Sequence, residues 1–501
     1  MRLACSMRVG MTVAAVIACM ALSGCMVGPD FRRPEDQKTS AYTSTPLPEK
    51  TDSAPGTAGT AQRFVSAREI PAQWWEVFHS EPLDRLIRLA LAENPTVAAA
   101  QASLRQAREN LRAVTGVLYP EVNANVSVTR EKITNANFGQ TGVSNTFNLY
   151  NASVGVSYGL DLFGGARREL ESQSAQIQYQ SFLVEGTYLA LTANIVTAAV
   201  KEASLRAQIQ ATQDIVAAQA KQLEVVERQL QIGSVAQSDV LAQRTQLSQT
   251  RATLPPLELD LAQTRHLLAV LTGKLPSEAQ LPEFTLDGIQ LPPDIPVSLP
   301  SELARQRPDI RASEELLHSA SAEVGVATAN LYPKISLSGS VGPGTVKFGD
   351  LFNGNSTIWS LGANVMYPVF HGGTLSAQRD AAIASYERAV AQYRVTILQA
   401  FQNVADVLRA LDFDAHLLKA QSDAAADAHA SLDLTQKQFQ VGAVSYLLLL
   451  NAERQYHQTR IALAQAQAAR LADTAALFQA LGGGWWNRPP QTVIPVAGKK
   501  D

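Results

Sequence analysis

The sequence predicts a mainly helical chain with a membrane-type β part, written twice in tandem. Three observations predict it. A tripeptide recurs at long range, the hydrophobic period changes just after each copy, and long heptad runs follow both.

The tripeptide is Leu-Tyr-Pro, in "LYPEVNANVSV" from Leu118 and "LYPKISLSGSV" from Leu331. The shift of 213 residues is too long for a solenoid repeat. At the same shift Pro95, Ala99, Leu104 and Ala107 fall on Pro308, Ala312, Leu317 and Ala320. Farther on, "QIGSV" at Gln231 matches "QVGAV" at Gln440, and Gly273 falls on Gly482, a shift of 209. One unit of ~200 residues therefore reads as duplicated.

Each unit opens with a helix begun by Pro95 or Pro308, where a missing N–H costs nothing. The period then changes from ~3.6 to 2 at Pro120 and Pro333. Val122, Ala124, Val126 and Val128 alternate with Asn123, Asn125, Ser127 and Thr129. "NASVGVSYGLDL" puts Ala152, Val154, Val156, Tyr158, Leu160 and Leu162 on one face. Ile335, Leu337 and Val341, and then Trp359, Leu361, Ala363, Val365 and Tyr367, repeat the pattern. The expected strands cover about 120–130, 151–163, 334–342 and 358–370.

Strands of ~10 residues with one greasy and one wet face suit a membrane β-barrel. A soluble antiparallel sheet packed on helices shows the same alternation, and the pattern alone leaves both open. If the strands form a barrel, the chain must oligomerise. Four strands leave open edges that hydrocarbon does not tolerate, and the smallest closed barrels need about eight.

Long helices follow, in hairpins at about 165–273 and 373–481. Residues 165–232 lack proline, enough for a helix of ~100 Å. Leu205, Ile209, Thr212, Val216, Gln219, Leu223, Val226 and Leu230 trace a coiled-coil seam whose polar member, Gln219, can fix register. The second unit repeats the seam at Leu411, Leu418, Ala425, Leu432 and Phe439. The returning helices carry Val240, Leu247, Leu254, Leu261 and Leu268, then Leu449, Tyr456, Leu463, Arg470 and Leu477, where only Arg470 breaks the row. Gly233 and Gly442 read as helix-ending turns. Pro255 and Pro256 predict a kink in the first returning helix.

The start of the chain reads as an export signal, residues 1–24: Arg2 and Arg8, an apolar run, then small residues. Its ending, "LSGC", resembles a bacterial lipobox with Cys25 lipidated; the alternative is an ordinary signal with a chance cysteine. Met26 after that cysteine, by the same resemblance, favours outer-membrane sorting. Cys5 and Cys19 would leave with the signal, so neither a disulfide framework nor a cysteine metal site is expected. Residues 25–75 read as a lipidated tether and belt segment, with 34–62 rich in Pro, Ser, Thr and Gly and therefore extended. The two repeats then span 76–288 and 289–484, leaving a tail at 485–501. Net charge is −3, and no basic patch interleaved with aromatics points to nucleic acid.

The order of "QWWEVFHSEPLDRLIRLALAENP" (Gln73 to Pro95), "YGLDLFGGARR" (Tyr158 to Arg168), "LPPLELDLAQTRHLLAVLTG" (Leu254 to Gly273), "PVFHGG" (Pro368 to Gly373) and the paired glycine turns resembles TolC-family outer-membrane efflux lipoproteins of resistance-nodulation-division pumps. That resemblance covers nearly the whole mature chain. It implies a homotrimer in which four strands per protomer build one twelve-stranded β-barrel, continuous with an α-helical barrel in the periplasm. It implies a periplasmic adaptor and an inner-membrane transporter as partners, passive conduction of small molecules, and no cofactor beyond the lipid on Cys25. The implied adaptor contacts are the turns Gly233, Ser234 and Val235 with Gly442, Ala443 and Val444. Relatives often carry acids where this chain has Leu448 and Asn451. Asp239, at the matching position of the first unit, reads as a solvated helix-start residue, with a gate role as the alternative.

No catalytic or metal constellation emerges. The seven histidines are scattered without ligand spacing, Gly273-Lys274 lacks the rest of a phosphate loop, and no G-x-S-x-G occurs. An enzyme is not expected. Trp74 and Trp75 read as packing anchors. Two non-catalytic alternatives are a duct for type I protein secretion and a coiled-coil spacer without a pore, and a spacer has no use for two-faced strands.

Overall fold

The computed structural model describes residues 26–35, 39, 41–66, 68–134 and 144–488. In chain order the elements are β1 (Arg63–Ser66), α1 (Glu81–Glu93), α2 (Pro95–Thr115), β2 (Glu121–Thr134), β3 (Ser144–Leu160), α3 (Gly165–Gln231), α4 (Gln237–Ala252) and α5 (Leu254–Leu271). The second half adds β4 (Asp294–Val297), α6 (Pro300–Gln306), α7 (Pro308–Ala329), β5 (Lys334–Thr345), β6 (Thr357–Met366), α8 (Thr374–Gln440) and α9 (Tyr446–Ala480). The chain divides into two compact units: Met1–Pro34, Ser103–Gln180 and Ser313–Tyr393 in one, Glu35–Ala102, Ser181–Ala312 and Arg394–Asp501 in the other. Each draws chain from both sequence repeats, so compactness does not follow the boundaries 76–288 and 289–484.

The first unit holds an antiparallel sheet in the order β2-β3-β5-β6. Its register aligns Ala124, Val154, Val341 and Trp359 in one row, and Val122, Val156, Gly339 and Leu361 in the next. On the opposite face Asn123, Gly155, Ser340 and Ser360 align, and the last two hydroxyls lie 2.8 Å apart. Period-2 side chains thus sort into a greasy and a wet face through the middle rows of the sheet; in the β2–β3 extension the order lapses, with Arg130 and Lys132 on the greasy side and Ile133, Phe147 and Leu149 on the wet one. Within one copy nothing covers the greasy face: Leu361 is 82% exposed, Val126 77% and Trp359 73%. A soluble sheet would pack that face on helices.

Strand ends differ from expectation for local reasons. The β2–β3 ladder continues through Glu131↔Phe147 to Thr134↔Ser144. Strand β3 stops at Leu160 because Asp161 turns the chain: its carboxylate accepts the backbone N–H of Ala166 (3.2 Å) and Arg167 (3.1 Å) at the start of α3. Strand β6 stops at Met366, two residues before Pro368, which has no N–H for a ladder.

In the second unit the seams are buried as heptads require. Leu411, Leu418, Val226 and Leu449 are fully enclosed. Helices α3 and α8 are both 67 residues long. The prolines interrupt the first returning helix, as expected. It ends at Ala252, and a new one starts at Leu254 with Pro255 and Pro256 in its first turn, where they leave no hydrogen bond unmade. The matching helix, α9, runs unbroken for 35 residues.

The polar stretch expected as an extended tether is also different. Residues 49–64 fold into a hairpin, with Thr51 N–H to Gln62 O at 2.8 Å and Phe64 N–H to Glu49 O at 3.2 Å. β1 continues it by pairing in parallel with β4. Thr51, Ala58 and Gln62 are buried. Polar composition hid this, because the segment is held by its oxygens rather than by apolar side chains. The tail begins packed as well: Trp485 donates to Gln306 O at 2.7 Å and Asn487 to Ile70 O at 2.8 Å.

Candidate functional site: the helix turns and the two-faced sheet

Both hairpin turns are built alike. Gly233 and Gly442 have φ of 75° and 73°, the left-handed conformation that glycine adopts without strain. Ser234 N–H reaches Gln229 O (2.9 Å) and Gly233 N–H reaches Leu230 O (3.0 Å). Ala443 to Gln438 and Gly442 to Phe439 (2.9 Å each) repeat the pattern. These are paired Schellman closures, which satisfy the last carbonyls of α3 and α8. Gly233, Ser234, Gly442 and Ala443 are exposed, while Val235 and Val444 are half-buried.

The sequence reading missed the residues before the glycines. Ile232 and Val441 are each 80% exposed, and they occupy matching positions at the shift of 209, which was the available signal. Single exposed apolar side chains are ordinary on protein surfaces, and these two are repeated in both turns. Gly233→Val and Gly442→Val put a branched residue at positive φ, at a cost of ~1–2 kcal/mol each. The expected result is a loosened turn in an otherwise intact fold, checked by hydrogen exchange of residues 229–235 and 438–444.

Beneath the turns the two hairpins share a core of Val226, Val240, Tyr446, Leu449 and Leu450, flanked by Leu230, Val235 and Phe439. The Tyr446 hydroxyl donates to Gln243 Oε1, and Gln243 Nε2 donates to Gln219 O at 3.0 Å. Gln219 is buried in this seam. Asp239 lies at the start of α4, where its carboxylate accepts Ala236 N–H at 3.0 Å. Leu448 and Asn451 are exposed, and Asn451 accepts from Arg454.

Glu453 was not anticipated. Burial pushes its carboxyl up to about 7, and burial, then Arg460, pulls His457 down on the same helix. A carboxyl raised in the folded state stabilises most at low pH, and that share is lost as pH rises through about 7. The packing of α9 near the turn should therefore loosen as pH rises from 4.5 to about 7 and change little above that, and Glu453→Gln should remove this dependence. Hydrogen exchange of residues 446–457 across that range checks it.

Trp74 and Trp75 are buried in a short 3-10 turn, Trp74–Phe78. Trp74 stacks on Phe478 with centroids 5.5 Å apart, and Trp75 Nε1 donates to Asp84 at 2.9 Å. Cys25 lies outside the described residues. The residues after it are tightly seated: Val27 N–H meets Phe163 O at 3.1 Å, and Arg168, 1% exposed, holds Val27 O (3.2 Å) and Asp30 (2.7 Å) while pairing with Glu171 (2.7 Å). Among the described residues no cluster of three or more His, Cys, Asp or Glu could hold a metal.

A bare apolar sheet face with a polar reverse, carried by a chain of long helical hairpins, defines an outer-membrane channel subunit. The profile of the family described as "Outer membrane efflux protein" matches residues 86–274 and 299–483, so the chain belongs to that family. It is 32% identical over 456 residues to the pyoverdine export outer membrane protein OpmQ of Pseudomonas aeruginosa, covering 88% of this chain and 94% of that one. It is 30% identical over 472 residues to the probable efflux pump outer membrane protein TtgC of Pseudomonas putida, covering 94% and 95%. The outer-membrane channel OprN superposes with a TM-score of 0.82 at 27% identity, covering 92% of this chain and all of that one. The protein is an outer-membrane efflux component, and its family is one of channels, not enzymes.

Proposed function

We propose that three copies of this chain close a twelve-stranded β-barrel in the outer membrane, continuous with an α-helical barrel in the periplasm, and conduct small molecules passively outward. The observation that carries this reading is the four-stranded sheet with one bare apolar face and two unpaired edges, at β2 and β6. Such edges are tolerated in hydrocarbon only when neighbours pair them. The matching element order of the two sequence repeats, with the family profile falling twice on the chain, fits an internal duplication that supplies six quasi-equivalent hairpins per trimer.

The wet face would line the pore. Its middle rows offer the hydrogen bonds of Asn, Ser and Gly, while its fixed charges, Glu121, Glu131 and Lys334, lie toward strand ends, where they would bias the passage of ions. No residue is assigned a catalytic role and no cofactor is required. Cargo choice then falls to an inner-membrane transporter, delivered through a periplasmic adaptor that grips the turns at Gly233, Ser234, Val235, Gly442, Ala443 and Val444. Adaptor binding opens the narrow end by favouring one arrangement of the hairpins over another. Asp239 is better placed to cap α4 than to gate. Lipidation of Cys25 anchors the chain on the periplasmic side, with Met26–Asp30 seating the anchor beside the β3–α3 junction.

Planar-bilayer recordings on the purified mature protein test this. Discrete conductance steps from heat-modifiable trimers are expected. A stable monomer whose strands stay out of the lipid would overturn the reading.

A further inference from the structure

We propose that α2 of one copy and the first turns of α8 of the next form a charged seam, in which Arg112 meets Asp380 and Arg105 meets Glu387. The partner of both helix faces is a second copy of this chain. This seam rests on the closed barrel proposed above and adds the contact that sets how high one copy stands against the next.

The sheet itself brings the two helices together. Strands β2 and β6 are its edges. One row of the register holds Glu121, Ser157, Ser338 and Gly362, so β2 begins and β6 finishes at the same end of the sheet. Helix α2 arrives at that end, with residues 116–120 joining it to β2, and α8 leaves it after residues 367–373. Pairing β6 of one copy with β2 of the next therefore sets α8 of the first beside α2 of the second, running in opposite directions. A slip of two residues between those strands keeps greasy with greasy and wet with wet. The strand faces alone leave the height undecided.

The two helix faces are bare in a single copy and opposite in charge. On α2, Arg105, Glu109 and Arg112 follow at spacings of four and three, all exposed, while Leu104, Ala107, Leu111 and Val114 form the half-buried stripe. On α8, Asp380, Ala384 and Glu387 repeat the four-three spacing and are also exposed. Arg112 is 78% exposed and pairs with Glu109 of its own helix at 2.8 Å. Asp380 is 63% exposed and pairs with its neighbour Arg379 at 2.9 Å. Arg105 and Glu387 have no ion-pair partner among the described residues.

The spacing selects one alignment. Seven residues separate Arg105 from Arg112, and seven separate Asp380 from Glu387. That is nearly two turns, about 10.5 Å along the axis, so each like pair lies on one face. Antiparallel helices can then make both ion pairs at once. A slip of one turn would set Arg112 against Ala384, and a slip of seven residues would leave one cation and one carboxylate unmatched. Ala384, between the carboxylates, has no bulk to hold the helices beyond their usual 8–10 Å. Exposed ion pairs add little stability each. Their part here is alignment, since like charges oppose the wrong one.

The test uses the full-length protein in outer-membrane fractions, with trimers counted on unheated gels. Arg105→Glu with Arg112→Glu should cut trimer yield by about tenfold, because like charges then face each other at every junction. Asp380→Arg with Glu387→Arg should do the same. All four changes together exchange the charges and should restore most of the yield. Independently, Arg112→Cys with Asp380→Cys should give dimers and trimers linked by a short bismaleimide, and neither cysteine alone should. Full yield from both double variants, no recovery in the fourfold variant, or trimers whose cysteine pair does not link would each overturn the seam while leaving the barrel standing. Unaltered protein that stays monomeric would overturn both.

Discussion

Leu361→Arg will keep the protein from assembling in the outer membrane, whereas Ser360→Arg, one residue away, will not. Leu361 sits in the bare apolar row with Val122 and Val156, and Ser360 in the polar row with Asn123 and Ser340. An arginine on the lipid side of a strand near the midplane costs about 2–4 kcal/mol, and a trimer would carry three. On the wet side the same guanidinium meets hydroxyls and amides. Heat-modifiable trimers counted in outer-membrane fractions are the measurement. The reverse order of yields would mean that the faces have been assigned the wrong way round, and equal yields that neither face meets lipid.

Arg168→Ala will free residues 26–34 and destabilise the unit that contains the sheet. The side chain is 1% exposed and holds Val27, Asp30 and Glu171. Gly325 packs directly against its stem, since a Cβ there would come within 2.7 Å of Arg168 Cγ. The partners are partly exposed, Glu171 at 23% and Asp30 at 83%, so the loss of these charged hydrogen bonds costs about 1–3 kcal/mol. Glu171 keeps His318 at 2.9 Å, and Arg168→Lys should recover part of the charge effect but not the forked contacts. Limited proteolysis at residues 26–34 and the unfolding midpoint of the mature protein read the two effects separately.

Much of this was legible because periodicity is a physical signal. Alternation at Val122 to Val128 marked a strand, and sevenfold spacing at Leu411 and Leu418 marked a seam, because each period places side chains on one face. The turn glycines were legible for a similar reason, since positive φ restricts residue choice. What escaped depended on partners far off in sequence. Arg470 looked like a flaw in a row of leucines, yet it is buried against residues 51–60, more than 400 positions earlier. Glu453 and His457 carry no local mark of burial. Pro255 and Pro256 were legible as breakers, and the helix does stop just before them; that they also open the next helix was not, because sequence cannot tell a proline inside a helix from one in its first turn. The crown residues Ile232 and Val441 went unnoticed because exposure, unlike periodicity, leaves no pattern.

The bare sheet face has a consequence for how the protein is made. A newly exported copy carries a membrane-seeking surface and two unsatisfied strand margins through an aqueous compartment, where either would aggregate. If copies close the barrel together as proposed, their encounter is a bimolecular or higher-order step whose rate climbs with the amount synthesised. Modest expression should leave a larger fraction stranded, and slow biogenesis, more than weak folding, becomes the point at which cells could limit the number of finished ducts.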